Sequence, residues 1–145
     1  MDYKKDIEER LIKYSHAEET LKNLNNRLNK LSLRGCPREL GAIDFSKIGH
    51  GTMSNEAFND VIEVQHILKQ INKIKIEEEL IRDTLEIIKN EDEEDYNFIS
   101  YKYFDKLSMD QVAFKLGYSQ SSNHTIYSIK DRALCKFALY YWGEN

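Results

Sequence analysis

Cysteine, proline and glycine are scarce in this chain. Its 145 residues include two cysteines, one proline and six glycines. Cys36 and Cys135 stand far apart, with neither a CxxC pair nor a histidine cluster beside them, so the sequence supports no zinc site and no disulfide framework. Rare proline and glycine leave few places where a helix must stop. No apolar run approaches the roughly 18 residues of a membrane span, and the opening MDYKKDIEER lacks the apolar core of a signal peptide. A cytoplasmic protein with no membrane contact is expected. The patterns of catalysis are missing as well. There is no Gly-rich phosphate loop, no spaced set of histidines and carboxylates for a metal, and no Ser or Cys with a base partner. Neither an enzyme nor a cofactor or metal is expected.

What the chain does contain is charge and helical periodicity. Charged residues make up 32%, and the length allows one domain, or one small domain with an extended helical attachment. Residues 3 to 34 carry Ile7, Tyr14, Leu21 and Leu28 at seven-residue steps, with Leu11, Leu24 and Leu31 between them. This is a coiled-coil seam. At 1.5 Å per residue such a helix is about 45 Å long and must lie along another helix. From Asn55 to Asn90 a second stripe follows, with Ile67, Ile74, Ile81 and Ile88 at seven-residue steps and Val64, Ile71 and Leu85 filling in. Two stretches of similar length imply a long antiparallel helical hairpin over residues 1–90, with pairing between two chains, a homodimer, as the open alternative.

The connection, residues 35–53, holds the only proline and four of the six glycines. It is longer than the packing requires, and long loops often bind something. Ile43, Phe45 and Ile48 are apolar enough to dock on the hairpin or a partner, and Ser54 is a candidate N-cap for the next helix. Residues 91–97 begin with consecutive carboxylates. They read as an acidic linker or as the charged start of a helix.

Residues 98–145 read as a separate three-helix, helix-turn-helix domain, which completes an all-α chain. Tyr96, Ile99, Tyr103 and Phe104 begin a supporting helix. Ser108, with Gln111 three residues on, has the spacing of a capping box for a helix through Leu116, and Gly117 ends that helix. In the next helix Ile126, Ile129, Ala133 and Phe137 form one stripe that can pack on Val112, Ala113 and Leu116. Asn123, His124, Tyr127, Ser128 and Asp131 are then left on or beside the outward face. The first turns of the second helix in such a motif enter the major groove, where Asn pairs with adenine and hydroxyl or imidazole groups reach several bases. Ser121, Ser122, Asn123, His124, Tyr127 and Ser128 are therefore the candidate base contacts. Lys130, Arg132 and Lys136, with Lys115, are the candidate phosphate contacts. Each residue alone is also what a solvated helix carries, so the weight rests on the whole arrangement.

Net charge is −4, but it is unevenly spread. Between Phe98 and Tyr140 the cations are Lys102, Lys106, Lys115, Lys130, Arg132 and Lys136, against Asp105, Asp110 and Asp131. A locally basic module on an acidic chain is compatible with DNA, because counterion release depends on the charges that touch phosphate.

The stretch YNFISYKYFDKLSMDQVAFKLGYS, followed by TIYSIKDRALCKFA, resembles region 4 of bacterial sigma factors. Within that group it looks most like the phage-encoded late transcriptional activators of the RinA and ArpU type, some of which carry a segment similar to Ile43-Asp44-Phe45-Ser46. One departure is that about three more residues lie between Gly117-Tyr118-Ser119 and Thr125-Ile126-Tyr127 than in the usual pattern, which leaves the register of the recognition helix open. The resemblance implies a double-stranded DNA-binding regulator of late genes that works with host RNA polymerase. The N-terminal half offers no aromatic cluster for capturing unpaired bases, so an activator is expected in place of a complete sigma factor. Two rivals stay open: a phage small terminase subunit that recognises packaging-site DNA, and a protein-interaction module using Tyr127, Tyr140, Tyr141 and Trp142.

Overall fold

The computed structural model describes residues 2–35, 55–118 and 123–143, and all of its regular structure among them is helical. The order is α1 (Tyr3–Ser15), α2 (Ala17–Leu33), α3 (Asn55–Glu91), α4 (Glu93–Ile99), a π-helical turn (Ser100–Phe104), α5 (Met109–Lys115) and α6 (Asn123–Trp142). None of the described helices is long and apolar enough to cross a membrane. The expected roles of Ser54, of Ile43, Phe45 and Ile48, and of Ser121 and Ser122 lie outside the described residues.

The first helical stretch is broken where one continuous helix was expected. α1 ends at Ser15, and the backbone N–H of His16 caps it by donating to Lys13 and Tyr14 carbonyls. The seven-residue stripe continues across the break but serves two cores. Ile7 and Leu11 join one cluster, while Leu24, Leu28 and Leu31 join another.

Contacts divide the chain into two compact units, one formed by 1–16 with 77–145 and the other by 17–76. In the 17–76 unit, Leu24, Leu28 and Leu31 of α2 pack on Val61, Val64, Ile67 and Ile71 of α3. Arg34 pairs with Asp60 at 2.8 Å and Arg27 with Glu63 at 3.3 Å. The later residue of α2 meets the earlier residue of α3, so the two segments run antiparallel. Burying each of these Leu or Ile side chains contributes about 1.5–3 kcal/mol, which outweighs ion pairs whose arginines are half exposed as the reason for the pairing.

The other unit gathers α1, the end of α3, α4, the π-helical turn, α5 and α6 around one core. Phe98, Phe137, Ile7, Leu11, Ile81, Ile88, Ile99, Ile126, Leu134 and Val112 are its largest fully buried side chains. The expected division at residues 91–97 is therefore replaced. The unit that holds α5 and α6 also takes in α1 and the end of α3, because both contribute to its core.

Residues 91–97 are not a linker. α3 continues through Glu91, and Asp92 then caps α4 by accepting from the Glu94 N–H at 3.0 Å. Glu93, Glu94 and Asp95 occupy the first turn, where carboxylates complement the helix dipole. Asp95 is fully buried. At its far end α4 widens into the π-helical turn, where the Asp105 N–H donates to the Ser100 carbonyl at 2.9 Å. Lys106 follows in the left-handed region, with φ 58°.

Candidate nucleic-acid interface

Local chemistry sets the start and end of α5. The Gln111 N–H donates to Ser108 Oγ at 3.3 Å, and the Ser108 N–H donates to Gln111 Oε1 at 2.9 Å. Both halves of the capping box are present. Beyond the C-cap, Leu116, the Gly117 N–H donates to the Phe114 carbonyl and the Tyr118 N–H to the Ala113 carbonyl. These two bonds form a Schellman motif, which needs a left-handed residue after the cap. Gly117 supplies it, with φ +89°.

α6 then packs on α1, α4 and α5. Ile126 is 1% exposed and Ile129 3%, in one core with Val112 and Ala113 of α5. Turning those isoleucines inward leaves Asn123, His124, Thr125, Tyr127 and Ser128 exposed. Tyr127 is 51% exposed. Ser128 Oγ donates to the His124 carbonyl at 3.0 Å, which occupies its proton but leaves its lone pairs free to accept. The structure thus brings four of the six candidate base contacts onto one exposed surface, while Ser121 and Ser122 lie outside the described residues.

The candidate phosphate contacts are placed differently. Arg132 lies 2.7 Å from Asp95, 3.0 Å from Glu94 and 3.6 Å from Asp92. Lys136 lies 2.8 Å from Asp95 and 3.7 Å from both Asp92 and Glu91. Both cations are held above their ordinary range, first by their contact with Asp95. They are committed to α4. A cation already neutralised by a buried carboxylate releases few counterions on meeting phosphate, so these pairs weigh against a phosphate role for Arg132 and Lys136. Their work is to fasten α6 to α4, and the Tyr118 hydroxyl adds to the same tie by donating to Glu94 at 2.8 Å.

Lys130 is less committed. Its Nζ stands 3.8 Å from Glu8 and 6.0 Å from the centroid of the Tyr127 ring. Lys115 is exposed, with Nζ 5.9 Å from the centroid of Tyr101. Asp131, on the flank of the surface, pairs with Lys4 of α1 at 3.0 Å. That hydrogen bond is the first cause of the raised Lys4 pKa. Glu8 and Lys4 could not be read as neighbours of this surface from the sequence, because nothing local links α1 to α6.

No family model matches the chain, no curated protein matches it, and no solved structure matches it.

Among the described residues no group of three His, Cys, Asp or Glu is placed to hold a metal ion. What the surface can do is donate and accept hydrogen bonds over a short length of helix. An amide, an imidazole, a phenol and a hydroxyl are available within its first two turns, with Lys130 at the edge and Lys115 on the preceding helix.

Proposed function

We propose that this chain is a sequence-specific double-stranded DNA-binding regulator of transcription, with α5 and α6 as a helix-turn-helix and the N-terminal turns of α6 in the major groove. The observation that carries the reading is the burial of Ile126 and Ile129 against the helix that Gly117 ends, with Asn123, His124, Tyr127 and Ser128 turned out together. Asn123 and His124 are assigned to base edges, and Tyr127 and Ser128 to bases or sugar. Lys115 and Lys130 take the phosphates. The resemblance to region 4 of sigma factors and to the RinA and ArpU type supports late-gene activation with host RNA polymerase. The antiparallel α2 and α3 segments, read as a helical hairpin of coiled-coil type, supply the surface for polymerase or for a second copy.

Selection of bound sequences from a random duplex pool, followed by titration of the selected site, tests this reading. The full chain is expected to bind the selected duplex, and His124→Ala with Lys130→Ala is expected to abolish the preference. Absence of duplex binding at low salt rejects it.

One observation favours a second reading as a protein-interaction module. Phe114, the next-to-last residue of α5, is 82% exposed. An aromatic ring held that far out costs apolar hydration that a protein partner would recover. The same titration separates the two readings, since a pure interaction module shows no salt-dependent affinity for DNA.

A further inference from the structure

A cleft of about 390 Å³ opens within the unit that contains α6, away from the exposed N-terminal face of that helix. One wall is aromatic and draws on three elements: Tyr14 of α1, Tyr96 of α4 and Phe104 at the end of the π-helical turn. The Tyr14 and Phe104 rings are tilted at 50° with centroids 5.4 Å apart. The rest of the lining comes from α3, with Leu85 and a polar row formed by Arg82, Glu86, Lys89 and Asn90. Their spacing places them on one face of the helix, so the charges alternate in sign along the cleft. Arg82 is held by Glu78 at 2.8 Å. Lys89 has no carboxylate partner among the described residues and rests its Nζ 5.3 Å from the centroid of Tyr96.

The backbone beside this cleft is unusual. A π-helical turn is rare and inserts an extra residue per turn, which rotates the side chains that follow it. Here it ends on the residue that completes the aromatic wall. Lys106 follows two residues later in the left-handed region, a conformation that costs a residue with a Cβ and gathers at ligand sites. A cleft of this volume lies within the range of small-molecule sites, and aromatic walls with a few convergent polar groups are their usual chemistry.

We propose that this cleft binds a small zwitterionic aromatic molecule of the class of a free aromatic amino acid. The ring packs against Tyr14, Tyr96 and Phe104, the carboxylate is taken by Lys89 with Asn90, and the ammonium by Glu86. This occupant uses every polar group of the row left free by the Arg82 pair, whereas a simple anion would face Glu86 and a simple cation would face Lys89. The cleft would bind this molecule whether or not the chain binds DNA.

The test is calorimetric titration of the full chain with L-tryptophan, with tryptamine, which lacks the carboxylate, and with indole-3-propionate, which lacks the ammonium. Saturable binding of tryptophan is expected. Each analogue is expected to bind about tenfold more weakly, the loss of one charge-assisted contact. Lys89→Glu should weaken tryptophan by at least the same factor, and Glu86→Gln should reduce it to the level of indole-3-propionate. Both residues are exposed on a long helix, and an unchanged thermal midpoint checks that the variants fold. No saturable binding, an analogue that binds as well as tryptophan, or indifference to Lys89→Glu overturns the proposal.

Discussion

Arg132 places its Nη2 2.7 Å from the Oδ1 of Asp95, a carboxylate with no exposed side-chain surface, while Arg132 itself is 45% exposed. Lys136 meets the other oxygen at 2.8 Å. The pairing is asymmetric: the anion is the buried partner and the cations sit at the surface. Removing the anion leaves cations that can turn to Glu94, Asp92 or water, whereas removing the cations strands a buried charge. Arg132→Ala with Lys136→Ala is therefore expected to destabilise by about 3–5 kcal/mol, the loss for an uncompensated buried ion. Asp95→Asn is expected to cost clearly less. Urea denaturation with equal m-values measures both, and the reverse order would refute the asymmetry.

Alkaline stability should depend on Tyr103. Burial first, and then Glu8, push its phenol well above the ordinary value of 10.0. The unfolded chain releases that proton near pH 10 while the folded chain keeps it, so above pH 10 the unfolded state binds fewer protons. Stability is then fully present below pH 10 and falls as pH rises. One such proton gives a slope of about 1.4 kcal/mol per pH unit. Tyr103→Phe keeps the ring in its packing and removes the proton. Unfolding free energies followed from neutral pH into the alkaline range should flatten by that slope, and parallel curves for the variant and the parent would contradict the account.

Local signals in the sequence predicted the elements they control. Ser108, Gln111 and Gly117 act within a few residues of themselves, and the stripe through Ile126 and Ile129 needs only the helical repeat to be read. What the sequence hid is non-local. Asp95 belongs to a run of carboxylates that normally marks a solvated segment, and its burial depends on Arg132 and Lys136, which lie far along the chain. The same distance conceals Glu8 beside Lys130 and Lys4 beside Asp131. The seam from Ile7 to Leu31 was readable as apolar periodicity, but a periodic stripe does not say how many cores it serves, and the break at His16 divides it between two.

The two ends of α5 give a paired stability prediction. Ser108→Ala removes the acceptor of the Gln111 N–H but keeps the backbone N–H that donates to Gln111 Oε1, and is expected to cost about 1 kcal/mol. At Gly117 a Cβ would meet nothing within 4 Å, so only the backbone opposes a side chain. Its φ of +89° makes Gly117→Ala cost roughly 1–2 kcal/mol. Gly117→Asn should cost less, since asparagine tolerates the left-handed region. Thermal midpoints of the three variants test the order, and a neutral Gly117→Ala would mean that the turn relaxes out of the Schellman geometry.

For the proposed DNA binding, salt dependence offers the most direct check on which cations meet phosphate. Each phosphate contact contributes about −0.9 to the slope of log affinity against log salt. With Arg132 and Lys136 committed to Asp95, the contacts reduce to Lys115 and Lys130, and the slope for the full chain should be roughly −2 per bound protein. Lys130→Ala and Lys115→Ala should each bring the slope closer to zero by about one and weaken all duplexes alike. Lys136→Gln, which leaves Arg132 to hold Asp95, should leave the slope unchanged. A slope near −4, on the order expected if four cations release counterions, with a fall on Lys136→Gln, would mean that α6 exchanges the carboxylates of α4 for phosphate when it binds.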